Sequence, residues 1–114
     1  MGDCIFCKIV SGEIMSPRIY ENEHVIAIED IRPMSIVHSL IITKKHIEDI
    51  LSLDPMDSAL MRGVQEAVLE VANIKGVAGP GFRLIVNCGE DGAQGVPHLH
   101  YHIIGGRKLG DRLV

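Results

Sequence analysis

Apolar and polar residues alternate in short bursts over IYENEHVIAIED, Ile19–Asp30, with a polar break at Glu21–Glu23. That pattern predicts two short strands around a turn. IRPMSIVHS interrupts it, and Pro33 biases Arg32 away from helix, so this stretch reads as a connection. SLIITK, Ser39–Lys44, is an apolar run of strand length, and KHIEDILSL reads as a short helix or turn. Asp54 then offers an N-cap, with Pro55 at the first helical position and Asp57 in the first turn. Met56, Leu60, Val64, Ala67, Val68, Val71 and Ala72 recur at helical spacing and form one apolar stripe, whose plain reading is core packing. Gly76 is the predicted stop. FRLIVN, Phe82–Asn87, reads as a strand, and a glycine-rich loop leads into a last strand, His98–Ile104. Strands on both sides of one long helix, with a second short helix, place the chain in the α+β class with a mostly antiparallel sheet.

The last strand carries the unusual chemistry. His98, His100 and His102 alternate with Leu99, Tyr101 and Ile103. Residues two apart on a strand share a face, roughly 7 Å from one another. The three imidazoles therefore share one face, and the apolar residues share the other, against the helix. Three histidines are a poor core, since each brings two ring nitrogens that need partners. A merely solvated face is one alternative. A three-histidine metal site is another, but ligands in a row on one strand suit a tetrahedral ion badly. The third is nucleophilic or acid–base catalysis, with one histidine attacking and its neighbours orienting it. The preceding GEDGAQGVP has glycines at 89, 92 and 95, which let backbone N–H groups approach an anion. No helix pattern follows it, so it is neither a P-loop nor a dinucleotide fingerprint. A glycine-rich loop feeding a histidine strand points to phosphate beside a nucleophilic ring.

Composition narrows the setting. The 114 residues fit one domain, 1–114, and 46% hydrophobic residues fill a modest core. A net charge of −4 advertises no nucleic-acid surface. No run approaches the ~20 apolar residues of a membrane span. MGDCIFCKIV resembles no signal peptide, and Phe6 stands where a myristoylation signal needs Ser or Thr, so a cytoplasmic protein is expected. Three cysteines, Cys4, Cys7 and Cys88, cannot all pair within one chain. Cys4 and Cys7 form a C-x-x-C that can share a zinc ion, act in disulfide exchange, or remain a reduced pair. The surroundings lack the strand-to-helix junction of a thioredoxin-like redox pair. Cys88 reads as a small core residue.

HLHYHII, His98–Ile104, resembles the His-x-His-x-His-x-x signature of the histidine triad (HIT) family, with apolar residues at x. CIFCKIVSGEI, AIEDIRP, HSLIITKKHI and LIVNCGEDGAQGVPHLHYHIIGG extend the resemblance over nearly the whole chain, in family order, toward the small nucleotide-binding branch. The resemblance implies a HIT-like fold and a homodimer whose sheet continues across the interface. It implies binding of purine nucleotides and hydrolysis of adenosine phosphoramidates and related AMP linkages through a covalent AMP–histidine intermediate. His100 matches the nucleophile, His102 the third triad histidine, and His38 an upstream histidine that orients the triad. Asp30 matches the acid on the ribose hydroxyls. Ile5, Phe6, Ile9, Ile28, Ile31 and Leu40 match the walls around the base, and on their own are ordinary core. Asn87, Ala93, Gly95 and Val96 match positions near the phosphate.

In zinc-containing relatives with a C-x-x-C near the N-terminus, the partners match His46 and His98. The resemblance thus implies a structural, closed Zn2+ site of Cys4, Cys7, His46 and His98 that activates no water. Gly95 stands where well-known members carry a serine, which puts the leaving-group preference in question. GGRKLGDRLV lacks the aromatic C-terminus of some members, so substrate preference is expected to differ. Two other functions compete: dinucleoside polyphosphate hydrolysis, and a non-catalytic nucleotide-binding dimer. Nucleotidyl transfer to a sugar phosphate goes with glutamine at the third triad position, where this chain has His102.

Overall fold

The computed structural model describes residues 3–113, so the readings that touch Met1, Gly2 and Val114 lie outside it. The order of elements is α1 (Ile5–Ser11), β1 (Arg18–Glu21), β2 (Val25–Glu29), β3 (Val37–Thr43), a 3-10 turn at Ile50–Ser52, α2 (Ser58–Ile74), β4 (Phe82–Ile85) and β5 (His100–Gly105). The five strands form one sheet in the order β1-β2-β3-β5-β4, with every pairing antiparallel. This is the α+β architecture that the hydrophobic pattern predicts.

The central strands are covered on both faces. From β2 and β3, Val25, Ala27, Val37 and Ile41 join a core with Leu60, Ala67, Val68, Val71 and Ala72 of α2. Ile26, Ile28, Leu40 and Ile42 join a second core with Phe6 and Ile9 of α1. A strand buried on both faces loses its alternation and reads as a continuous apolar run, as VIAI and LII do. β5 lies between β3 and β4. Tyr101 and Ile103 face the α2 core, as does Leu99 just before the strand.

Several boundaries differ from the sequence reading, and β3 begins at Val37, so that Val37 and His38, read from sequence as part of a connection, belong to the strand. Helix α2 starts at Ser58 rather than at Pro55, and its N-cap is Asp57, whose side chain accepts the Leu60 N–H. Asp54 instead closes a turn: its Oδ1 accepts the Met56 N–H at 2.9 Å and its carbonyl the Asp57 N–H at 3.0 Å. An Asx turn competes directly with helix for those amides, and Met56 falls outside the stripe, 84% exposed. The helix ends at Ile74 with Lys75 as its cap, and Gly76 is the predicted stop just beyond, with φ +74° and the Val77 N–H on the Ala72 carbonyl. The strand expected over His98–Ile104 begins only at His100, and the one expected over Phe82–Asn87 stops at Ile85.

Helix α1 has no counterpart in the sequence reading. Seven residues are too few to hold a helix by themselves. Cys4 caps its start, with Sγ accepting the Cys7 N–H, and Gly12 caps its end with φ +85°. Arg18 of β1 donates to the Ile9 and Val10 carbonyls and so closes the last turn from across the sheet.

Candidate functional site

One cavity of about 570 Å³ opens between α1, the β2–β3 connection and the glycine-rich loop. His100, His102 and His38 line it, together with Asp30, Ile5, Phe6, Ile9, Ile28, Ile31, Leu40, Asn87, Ala93, Gly95 and Val96. The fold thus brings around one space every residue that the sequence suggested for catalysis or nucleotide contact. Phe6, Ile9, Ile28 and Leu40 form its buried wall, whereas Ile31, 89% exposed, stands at the rim. Ile14, Met15, Ser16, Glu29, Arg32 and Met34 also line it and escape the sequence reading. Of these, Arg32 has a signal in the sequence, its N–H bonding Asp30 Oδ1. Asp30 followed by Ile-Arg-Pro is an Asx-turn pattern, and such a turn uses backbone amides just downstream.

The hydrogen bonds assign the ring tautomers. His100 is buried, with its Nδ1 2.7 Å from the His98 carbonyl. A carbonyl only accepts, so Nδ1 holds the proton and Nε2 keeps its lone pair. The Phe6 ring stands edge-on to His100 at 4.9 Å. His38 Nδ1 accepts the Met34 N–H at 3.0 Å, which places the His38 proton on Nε2. That nitrogen lies 2.8 Å from His102 Nδ1 and 3.3 Å from Asp30 Oδ2. Burial first, then the neighbouring His100 and His38, lower the His102 pKa to about 4, so this ring is neutral at pH 7.

The glycine-rich loop is pinned by its own polar groups. Asn87 Nδ2 donates to the Gly92 carbonyl at 2.8 Å, and Gln94 Nε2 to the carbonyls of Glu48 and Val96. Gly92 packs against Cys88 so closely that a Cβ would stand 2.3 Å from the Cys88 carbonyl oxygen. Around Gly95 there is open space, and a Cβ would meet nothing within 4 Å.

A second cluster lies beside the cavity. Cys4, Cys7, His46 and His98 bring one ligand atom each to within 4.8 Å of one another. His98 Nε2 donates to the Thr43 carbonyl at 2.7 Å, leaving the Nδ1 lone pair aimed inward. Nδ1 lies 3.2 Å from Cys4 Sγ, 3.5 Å from Cys7 Sγ and 3.1 Å from His46 Nδ1, while Cys7 Sγ lies 3.2 Å from His46 Nδ1. Zinc bonds of about 2.3 Å to sulfur and about 2.0–2.1 Å to nitrogen, set tetrahedrally, separate such atoms by about 3.3–3.6 Å. The donor set, two thiols and two imidazoles, fits zinc in ligand type and spacing. Burial lowers the His98 pKa, which keeps the ring in the neutral form a ligand needs. Burial, then Cys4 beside it, raises the Cys7 thiol, an order that a bound cation reverses. Asp30, His38 and His102 also converge. There the Met34 N–H keeps a proton on the His38 nitrogen that would have to ligate. That trio is built to hold a proton rather than a metal.

Comparison with known proteins agrees with this geometry. The profile of the HIT domain family matches residues 11–109. That span contains His38, His46 and the triad, and begins after Cys4 and Cys7. A HIT family hydrolase from Clostridium thermocellum superposes with a TM-score of 0.95 at 41% identity, covering 100% of this chain and 99% of its own. A histidine triad nucleotide-binding protein from Candida albicans superposes with a TM-score of 0.80 at 28% identity, covering 89% and 73%. An uncharacterised HIT-like protein of Azospirillum brasilense is 42% identical over 107 residues, 93% of this chain and 88% of its own.

Proposed function

The chain belongs to the HIT domain family, and on that premise we propose that it hydrolyses purine nucleoside 5′-phosphoramidates and related AMP linkages through an AMP–histidine intermediate on His100. The observation that carries the reading is the His100 tautomer. With Nδ1–H committed to the His98 carbonyl at 2.7 Å, the lone pair on Nε2 is available as a nucleophile without prior loss of a proton. The names of relatives, a hydrolase in one case and a nucleotide-binding protein in another, support the same class.

In this reading the base lies against Phe6, Ile9, Ile28 and Leu40, with Ile5 and Ile31 at the rim, and Asp30 accepts the ribose hydroxyls. Asn87 and the loop at Ala93, Gly95 and Val96 border the phosphate. The loop's own hydrogen bonds consume the amides of Ala93, Gln94 and His98, and Gly95 and Val96 line the cavity. His100 Nε2 attacks the α-phosphorus, the P–N bond breaks, and the amine leaves with a proton taken from solvent, which the attacking water of the second step returns. His102, neutral and holding its proton on Nε2, donates to the phosphate oxygen where charge accumulates. Water then attacks the phospho-histidine bond, AMP departs and His100 is restored. Two successive displacements predict retention at phosphorus.

Zinc on Cys4, Cys7, His46 and His98 would supply a structural cross-link. It would pin α1, and so the base wall, to the segment whose His98 carbonyl orients His100. The homodimer with a continuous sheet is supported by β4, an edge strand with Phe82 and Leu84 exposed and with exposed Val86 just beyond its end. An unpaired apolar edge of this kind is a hazard unless another strand covers it. The deciding experiment is intact-protein mass after rapid quench with an adenosine phosphoramidate, comparing the wild type with His100→Gly. An AMP adduct on the wild type alone is the expected result. AMP binding with neither adduct nor AMP release would overturn the hydrolase reading in favour of a nucleotide-binding dimer.

A further inference from the structure

Asn87 carries one polar group that the fold leaves open. Its Nδ2 donates to the Gly92 carbonyl at 2.8 Å. A carbonyl only accepts, so the amide is fixed with its nitrogen toward Gly92 and Oδ1 on the other side. Among the described residues Oδ1 has no hydrogen-bond partner, and it is not sealed from solvent. The other carboxamide of the loop is fully used: Gln94 Nε2 donates to the Glu48 and Val96 carbonyls, and its Oε1 accepts the Gly89 N–H. Gly95, the cavity-lining position of the same loop, has no hydroxyl to offer Asn87.

The place of Oδ1 decides what can meet it. Exposure alternates along Phe82–Asn87, and Arg83, Ile85 and Asn87 are the half-buried set. Ile85 pairs with His102, so this set shares the face of the triad. Ile28 of β2 and Leu40 of β3 wall the base end of the cavity, His100 stands on β5, and Asn87 lies past the end of β4, the next strand across. A nucleotide that runs from β2 to a phosphorus at His100 carries its leaving group on toward Asn87. Phosphate oxygens at neutral pH are acceptors and cannot satisfy Oδ1, whereas a bridging nitrogen that keeps a hydrogen can.

We propose that Asn87 is a specificity-determining residue: its Oδ1 accepts the N–H of the scissile P–N bond and selects phosphoramidates of ammonia and primary amines over those of secondary amines and over P–O linkages. The proposal rests on the nucleotide reading and deepens it by naming the leaving group. The hydrogen stays on nitrogen throughout, and no proton passes to Asn87. As the P–N bond breaks and the nitrogen takes up its proton from solvent, it gains positive charge, and its hydrogen bond to Oδ1 strengthens. The contact therefore counts in kcat as well as in KM.

Two substrates test it, adenosine 5′-(N-propyl)phosphoramidate and its N-methyl-N-propyl counterpart, whose leaving amines have nearly equal basicity. Wild type is expected to favour the N–H substrate about tenfold or more in kcat/KM. Equal values would overturn this inference and leave the nucleotide reading standing. No turnover of either would overturn the nucleotide reading and this inference with it. Asn87→Ala then separates the contact from a structural role. The N–H substrate is expected to lose about tenfold more than the N-methyl one. An equal loss with both would reduce Asn87 to a brace for the loop through Gly92, and a gain with the N-methyl substrate alone would make it a steric filter. Either result sinks the proposal.

Discussion

His102 is held neutral by its surroundings, and its titration makes a direct prediction. Its folded pKa is about 4 against an ordinary 6.5. Between those values the unfolded chain binds the extra proton and the folded chain does not, so stability rises with pH across that window. The contribution is complete above about pH 6.5 and is lost as pH falls toward 4. Its size is about 1–3 kcal/mol after allowance for partial solvent screening. Ring-proton NMR should show one histidine with a midpoint near pH 4. Denaturant melts at pH 7 and pH 4.5 should differ in this direction, with part of the difference removed by His102→Gln.

At the scale of elements, the loop and the short helix are the informative pieces. Gly92→Ala would force a Cβ to 2.3 Å from the Cys88 carbonyl oxygen. It should cost about 2 kcal/mol or more, because the neighbour is backbone and cannot swing away. Gly95→Ser meets nothing within 4 Å, so its melting temperature should match wild type, and any change in turnover would report the hydroxyl alone. Helix α1 depends on what lies around it. Stoichiometric metal by native mass spectrometry should be one Zn2+ per chain, abolished by Cys4→Ser with Cys7→Ser. Stripping the metal should lower stability by at least about 2 kcal/mol, roughly 10 °C in Tm for a chain of this size. Amide exchange should rise first in residues 5–11.

For the molecule, the exposed edge strand sets the prediction. Phe82, Leu84 and Val86 leave an apolar strip beside unpaired backbone. The mass in solution should be that of two chains, and Leu84→Lys should yield a monomer that remains folded, since Leu84 is 46% exposed in one chain. Sedimentation equilibrium distinguishes these outcomes. Among the described residues no helix is long and apolar enough to cross a membrane.

Much of this was determined by sequence alone. The α2 stripe from Leu60 to Ala72, its stop at Gly76, the strand-length apolar runs of β2 and β3, and the alternation of His100, Tyr101, His102 and Ile103 follow from local pattern. The resemblance in HLHYHII and the segments before it placed fourteen residues that the fold gathers around one cavity. Tertiary structure decided the rest. Asp54 or Asp57 as cap was settled by a turn that takes the competing amides. Helix α1 exists because Arg18, Gly12 and the packing of Phe6 and Ile9 complete what seven residues cannot. The tautomers of His38, His98 and His100 were set by Met34 N–H and by the carbonyls of Thr43 and His98, backbone groups that carry no side-chain signature. A ring nitrogen's proton is placed by whatever polar atom lies about 3 Å away. For His98 that atom is the Thr43 carbonyl, which comes within reach only when the chain folds back on itself.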